Sequence, residues 1–289
     1  MAPDRIPRVL SIAGSDSGGG AGIQADLKAF ARCRVHGMTA ITAITAQNTV
    51  AVTAVYPLPP EVIVEQVRAV ADDIGVDAVK IGMLGTVETI KAVGRALDLV
   101  PDAPVVLDPV MVAESGARLL DEDAEEALRT LLVPRAAVVT PNLPEARALA
   151  RLSTEPGEPG AGREGRQAAG PAADDGAQLA RAVYGLGPAA VVVTGGHRDQ
   201  AVDVFFDGER LVEIPGERYL DGAAHGSGCT HSSALAAHLA LGLEPLDAAR
   251  AAKQIASDAV RDGLQNVGEG PGPVDVFGGG DRPPGGERA

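Results

Sequence analysis

The sequence predicts a doubly wound α/β fold around a mostly parallel central sheet, and two observations carry that expectation. Short apolar runs rich in β-branched residues recur at 9–13, 39–45, 78–81, 105–107, 137–140 and 190–194, apolar on both faces as strands of a covered parallel sheet must be. Segments of helical period alternate with them, which is the pattern of a sheet flanked by helices.

In chain order, the strand at 9–13 leads through a glycine-rich loop to a helix over 23–35, where Ile23, Leu27 and Phe30 repeat at helical spacing. After the strand at 39–45 come helices over 60–73 and 86–97, interleaved with strands at 78–81 and 105–107. A further helix over 121–132 carries acidic residues in its first turn, where the helix dipole favours them. Strands at 137–140 and 190–194 follow. Residues 202–206 and 209–214 flank Asp207-Gly208, a two-residue turn that predicts one antiparallel hairpin. Residues 154–176 lose all apolar periodicity to Gly, Pro, Glu, Arg and Ala, which predicts a disordered surface insertion. The tail at 278–289 has the same character. One domain over 1–277 accounts for the rest, and no internal repeat is present.

Composition narrows function. Aromatic residues make up 2% of the 289 and Trp is absent, so the core is aliphatic and base-stacking platforms are not expected. Asp and Glu outnumber Lys and Arg 39 to 25, and a net charge of −14 repels nucleic-acid backbones and anionic membranes. Cys33 and Cys229 match neither a disulfide framework nor a zinc spacing. With no apolar leader at the N-terminus and no apolar stretch of about 18 residues, the expectation is a soluble cytoplasmic protein.

Three segments carry chemistry. Gly14-Ser15-Asp16-Ser17-Gly18-Gly19-Gly20-Ala21-Gly22 sits between a strand and a helix, yet Gly20 stands where a P-loop needs Lys, and no dinucleotide-binding register fits. It is either a bare ligand-facing loop at a strand's carboxyl end or a plain connector. His225-Gly226-Ser227-Gly228-Cys229-Thr230-His231 opens an Ala-rich helix, where the amides at Gly226 and Gly228 suit an anion. Cys229 in that first turn is either an inert buried thiol or a general base, its thiolate favoured by the helix dipole. Asp108-Pro109-Val110-Met111 and Thr140-Pro141-Asn142-Leu143-Pro144-Glu145 each follow a strand, and their carboxylate and amide oxygens suit either a turn or cap or Mg²⁺ held through water. Thr194-Gly195-Gly196-His197 adds a hydroxyl and open amides for a phosphate chain. No His-Glu-x-x-His or paired cysteine accompanies His225, His231 and His238, so a structural metal site is not expected.

Together with Ala46-Gln47-Asn48-Thr49 and Lys80-Ile81-Gly82-Met83-Leu84, these segments occur in an order that resembles the hydroxymethylpyrimidine/phosphomethylpyrimidine kinases of thiamine biosynthesis. The resemblance implies a ribokinase-like three-layer α/β/α sandwich. It implies γ-phosphoryl transfer from ATP, first to a hydroxymethyl group and then to the resulting monophosphate. Carried over residue by residue, Gln47 binds the pyrimidine, and Gly14, Ala21, Met83 and Val110 line its pocket. Asp108 and Glu145 hold Mg²⁺ and its water. Thr194, Gly196, Asn142 and Lys253 meet the nucleotide, and Cys229, with Gly226 and Gly228, is catalytic. Similar enzymes are commonly homodimers. Cys229 takes the place of the Asp found in most of the superfamily, which points to pyrimidine and pyridoxal-type alcohols over sugars. Thr194 departs from the pattern, because many relatives carry Lys there. Pyridoxal kinase is one competing expectation; a pyrimidine-binding protein without turnover is the other.

Overall fold

Nine strands join into one sheet in the computed structural model, which describes residues 5–151, 173–195, 201–219 and 223–278. They are β1 (Arg8–Asp16), β2 (His36–Gln47), β3 (Val52–Pro57), β4 (Ala78–Ile81), β5 (Val105–Leu107), β6 (Val138–Val139), β7 (Val191–Val193), β8 (Asp203–Phe206) and β9 (Leu211–Ile214). Their order is β3-β2-β1-β4-β5-β6-β7-β8-β9. The six from β2 to β7 in that order run parallel, and antiparallel strands close both edges.

Side-chain alternation along the central strands sorts the core into two layers. Leu10, Ile12, Val79, Ile81, Val105, Leu107, Val139, Val191 and Val193 face one apolar cluster, and Val9, Ala78, Val106, Val138 and Val192 face the other. The first is covered by α2 (Pro60–Asp73), α3 (Val87–Leu97), α4 (Glu122–Ala127), α5 (Leu143–Ala150) and α6 (Ala173–Tyr184). The second is covered by α1 (Gly22–Arg32), α7 (Ser227–Ala240) and α8 (Pro245–Arg261). The result is the three-layer α/β/α sandwich expected. Helix α7 is buried without interruption from Thr230 to Ala237, and its Ala and Ser side chains are small enough to let α1, α8 and the sheet approach from all sides. Among the described residues, no helix is long and apolar enough to cross a membrane.

Three details differ from the sequence reading. Strand β3 was not expected, although Val52, Thr53, Ala54, Val55 and Tyr56 form an apolar and β-branched run; it is an edge strand with mostly exposed side chains, paired antiparallel with β2. The helix expected over 121–132 is α-helical only to Ala127 and winds on as a π-helical turn, Leu128–Leu132, before Val133–Arg135 tightens into a 3₁₀ turn holding Pro134. Helix α1 ends at Arg32 instead of 35, because Arg34 adopts left-handed φ of 59°. Of the insertion expected at 154–176, only the last four residues are described, and they open α6. The tail lies outside the described residues except for Gly278.

Candidate active site

A cavity of about 490 Å³ opens at the carboxyl ends of the parallel strands, where open α/β sheets hold ligands. The sheet brings thirteen of the fourteen expected site residues to its lining. Gly14 and Ala21 come from the β1–α1 connection, Gln47 from the end of β2, Met83 from beyond β4, and Asp108 and Val110 from beyond β5. Asn142 and Glu145 open α5, Thr194 follows β7, Gly226, Gly228 and Cys229 open α7, and Lys253 projects from α8. Gly196 lies outside the described residues.

The glycine-rich loop is held by a carboxylate that sequence reasoning did not single out. Asp16, 3% exposed, accepts the amides of Gly18 (2.7 Å), Gly20 (3.0 Å) and Ala21 (2.8 Å), and His225 Nε2 stands 3.4 Å away. Burial alone would raise its pKa, but the His225 and backbone hydrogen bonds together hold it below the usual carboxylate range. Gly20 has to be glycine, since a Cβ there would collide with the His225 ring. Gly226 has φ of +85° and lies so close to the Gly20 carbonyl that no Cβ fits between them. The C-terminal segment fastens the same junction. Val274 donates to the His225 carbonyl (3.0 Å) and Gly270 to Thr49 Oγ1 (3.2 Å).

At the start of α7, Ser227 N–H is satisfied by Ala224 O and Thr230 N–H by Gly226 O, each at 2.9 Å. The intervening amides of Gly228 and Cys229 have no backbone acceptor among the described residues, and a Cβ on Gly228 would meet open space. This is a helix N-terminus with donors open to an anion.

The expectation of a favoured thiolate at Cys229 is overturned. Burial pushes the thiol up to about 12, outweighing the Lys80 ammonium that pulls the other way. Cys33, half-buried at the end of α1 against the second apolar cluster, is likewise pushed up to about 11 by burial.

Beneath Cys229 lies a network with no external exposure. Lys80 Nζ pairs with Asp26 Oδ1 at 2.8 Å, both side chains 0% exposed, and Asp26 also accepts Ser233 Oγ (2.7 Å) and Ser11 Oγ (2.5 Å). Burial would depress the Lys80 ammonium, but the charge of Asp26, with those of Cys229 and Asp108, raises its pKa overall. The signal in the sequence is a lysine inside the four-residue strand β4, whose every side chain is buried.

Asp108 accepts Ser232 Oγ at 3.0 Å, and burial raises its pKa against the pull of Lys80. Glu145 is pushed up to about 8 by burial and then by the charge of Asp108. Glu145 also completes a capping box: Asn142 N–H donates to Glu145 Oε2, and Glu145 N–H donates to Asn142 Oδ1, both at 2.9 Å. The carbonyl end of Asn142 is therefore engaged in the cap. Among the described residues no cluster of three or more His, Cys, Asp or Glu forms a metal cage. On the wall built by β7, β8 and α8, Lys253 Nζ pairs with Asp203 Oδ1 at 2.7 Å, and the Gly195 amide donates to the same oxygen at 2.9 Å. Asp203 was not anticipated, because nothing local to β8 marks it.

Comparison with known proteins gives a consistent picture. The family described as phosphomethylpyrimidine kinase matches residues 16–275. A hydroxymethylpyrimidine/phosphomethylpyrimidine kinase of Rhizobium meliloti is 47% identical over 272 residues, covering 93% of this chain and 96% of the relative. The Bacillus subtilis protein of the same name is 39% identical over 278 residues, covering 94% and 95%. Among solved structures, an ADP complex of Bacillus subtilis pyridoxal kinase superposes with a TM-score of 0.81 at 37% identity, covering 94% of this chain and 98% of that one. A phosphomethylpyrimidine kinase from Clostridium difficile gives 0.73 at 38% identity, covering 88% and 99%.

Proposed function

The chain belongs to the phosphomethylpyrimidine kinase family, and from that premise we propose that it uses ATP to phosphorylate 4-amino-5-hydroxymethyl-2-methylpyrimidine and then its monophosphate, in thiamine biosynthesis. The observation that carries the reading is the meeting of three features in one cavity: an amide side chain at Gln47, a thiol beside open helix amides at Cys229, and paired carboxylates at Asp108 and Glu145.

Gln47 suits an aminopyrimidine because its amide both accepts from the amino group and donates to the ring nitrogen. Met83, Val110 and Ala21 supply apolar walls, and the loop clamped by Asp16 fixes the shape of the pocket before the substrate arrives. Phosphoryl transfer asks for alignment and charge neutralisation more than covalent chemistry. The amides of Gly228 and Cys229 face the transferring group, where they stabilise the charge on its oxygens. Cys229 accepts the hydroxyl proton. Its thiol is protonated at rest, so it does this only after releasing its own proton to solvent, and the thiolate then takes the hydroxyl proton as the oxygen bonds to phosphorus.

Two buried carboxylates whose charges oppose each other, with no third side-chain ligand among the described residues, fit Mg²⁺ held through water and phosphate oxygens. Asp108 and Glu145 would hold that ion, which neutralises phosphate charge when bound. Thr194, Lys253 and the amide end of Asn142 form the wall that meets the nucleotide.

Pyridoxal kinase activity is a second reading, favoured by the TM-score of 0.81 against 0.73. One assay separates the two. Purified protein is given Mg²⁺-ATP with hydroxymethylpyrimidine, its monophosphate or pyridoxal, and products are identified by phosphorus NMR. Turnover of both pyrimidines in preference to pyridoxal supports the proposal, faster pyridoxal turnover moves the protein to vitamin B6 chemistry, and no turnover with any of them overturns both.

A further inference from the structure

His231 has no part in the chemistry above, yet it lines the same cavity. It is 4% exposed, and neither ring nitrogen has a hydrogen-bond partner among the described residues. Leaving a buried polar group unpaired costs about 1–3 kcal/mol, and such a group in a binding cavity marks a place where a ligand completes the bonding.

The charged groups facing it are Asp203 from β8, whose Oδ2 is 3.5 Å from His231 Nε2, and Lys253 from α8, which pairs with the other oxygen of Asp203. Gly195, at the end of β7 beside Thr194, donates its amide to that same carboxylate, so the cluster is part of the nucleotide-facing wall. The carboxylate and the ammonium cancel, leaving no net charge to retain a proton on the imidazole. Burial, with Asp203 opposing and Lys253 adding to it, lowers the His231 pKa and keeps the ring neutral.

A polyphosphate entering this wall brings negative charge next to Lys253 and draws that ammonium toward itself. Asp203 is then left without its full counter-charge, and the imidazole is the nearest group able to supply one. We propose that His231 is a nucleotide-responsive residue, taking up one proton from solvent as the polyphosphate binds and pairing as imidazolium with Asp203 while Lys253 turns to phosphate. This rests on the assignment of the Thr194–Lys253 wall to the nucleotide. It also supplies a cation on a wall where Thr194 provides none.

Titration calorimetry with MgADP at pH 7.5, in two buffers of different ionisation enthalpy, tests it. The wild-type protein is expected to take up about one proton on binding, and its Kd for MgADP to rise by up to roughly tenfold per pH unit above neutrality. His231→Leu is expected to bind with no proton uptake and a flat pH dependence. Wild-type binding without proton uptake overturns the inference and leaves the nucleotide wall standing, as does uptake undiminished in His231→Leu. Failure to bind MgADP at all overturns both. If His231→Leu does not fold, nitrogen-15 histidine spectra of the wild type decide, since one ring must change to the imidazolium pattern on adding MgADP, and no change overturns the proposal.

Discussion

The two walls of the cavity are built on opposite principles. On the side built by β1, α1 and β4 the buried carboxylates have partners: Asp16 gathers three amides, and Asp26, beneath the lining, gathers a lysine and two hydroxyls. On the side built by α7, α8, β7 and β8, both nitrogens of the lining residue His231 are buried and unpaired among the described residues. A wall already satisfied holds its shape without ligand, so its substitutions act on folding and on the chemical step. A wall with unmet polar groups is completed by what binds, so its substitutions act on affinity.

The largest effect tests the rigidity of the side built by β1, α1 and β4. Lys80→Met strands the Asp26 carboxylate in the core and is expected to lower stability by about 3–5 kcal/mol, read from urea unfolding. A paired Lys80→Met, Asp26→Asn variant should recover much of that loss. Next comes Cys229→Ala, expected to cut kcat on the order of 10²-fold or more with KM for the pyrimidine almost unchanged. An equal rise in KM would mean that the thiol only shapes the pocket. In the wild type kcat should climb with pH above neutrality, because a thiol pushed up to about 12 is deprotonated more readily as pH rises.

Asp16→Asn sharpens the comparison through acid stability. The folded pKa of Asp16 lies below its ordinary value, so its contribution is present above the unfolded pKa and is lost as pH falls through the folded one. Wild-type melting temperature should therefore drop below pH 4 more steeply than that of the variant, and KM for the pyrimidine should rise in the variant as the loop loosens. The smallest effect belongs to the other wall. Thr194→Lys should lower KM for ATP by roughly fivefold or less, the worth of about 1 kcal/mol, without altering pyrimidine affinity. A change in pyrimidine KM would show that the two walls are not separable.

The legible parts of the molecule are those whose signal is local. Strands β4 and β5 are apolar on both faces and begin and end where the residues predict, and the Asp207-Gly208 turn produces its hairpin. The residues quoted as motifs stand at strand ends and a helix start, so the cavity was legible before its geometry. What escaped was pairing across distance. Lys80 and Asp26 are 54 positions apart, and Asp203 and Lys253 are 50 apart. Each looks like an ordinary charge until the fold removes water from around it. Cys229 was misjudged for a related reason: the helix dipole is visible in the sequence, whereas the burial that overrides it is produced by α1, β4 and β5 closing on α7.

The junction of His225 with Asp16 and of Gly270 with Thr49 has a consequence for how the protein comes to exist in a cell. These contacts span 209 and 221 positions, and they join loops made early by the ribosome, at Asp16 and Thr49, to segments released much later, at His225 and Gly270. Most of the sheet can form while synthesis continues, but the pocket is closed only once residues near 275 have left the exit tunnel. A nascent chain, or a chain cut short before Gly270, therefore lacks the hydrogen bonds by which Val274 and Gly270 tie His225 and Thr49 together.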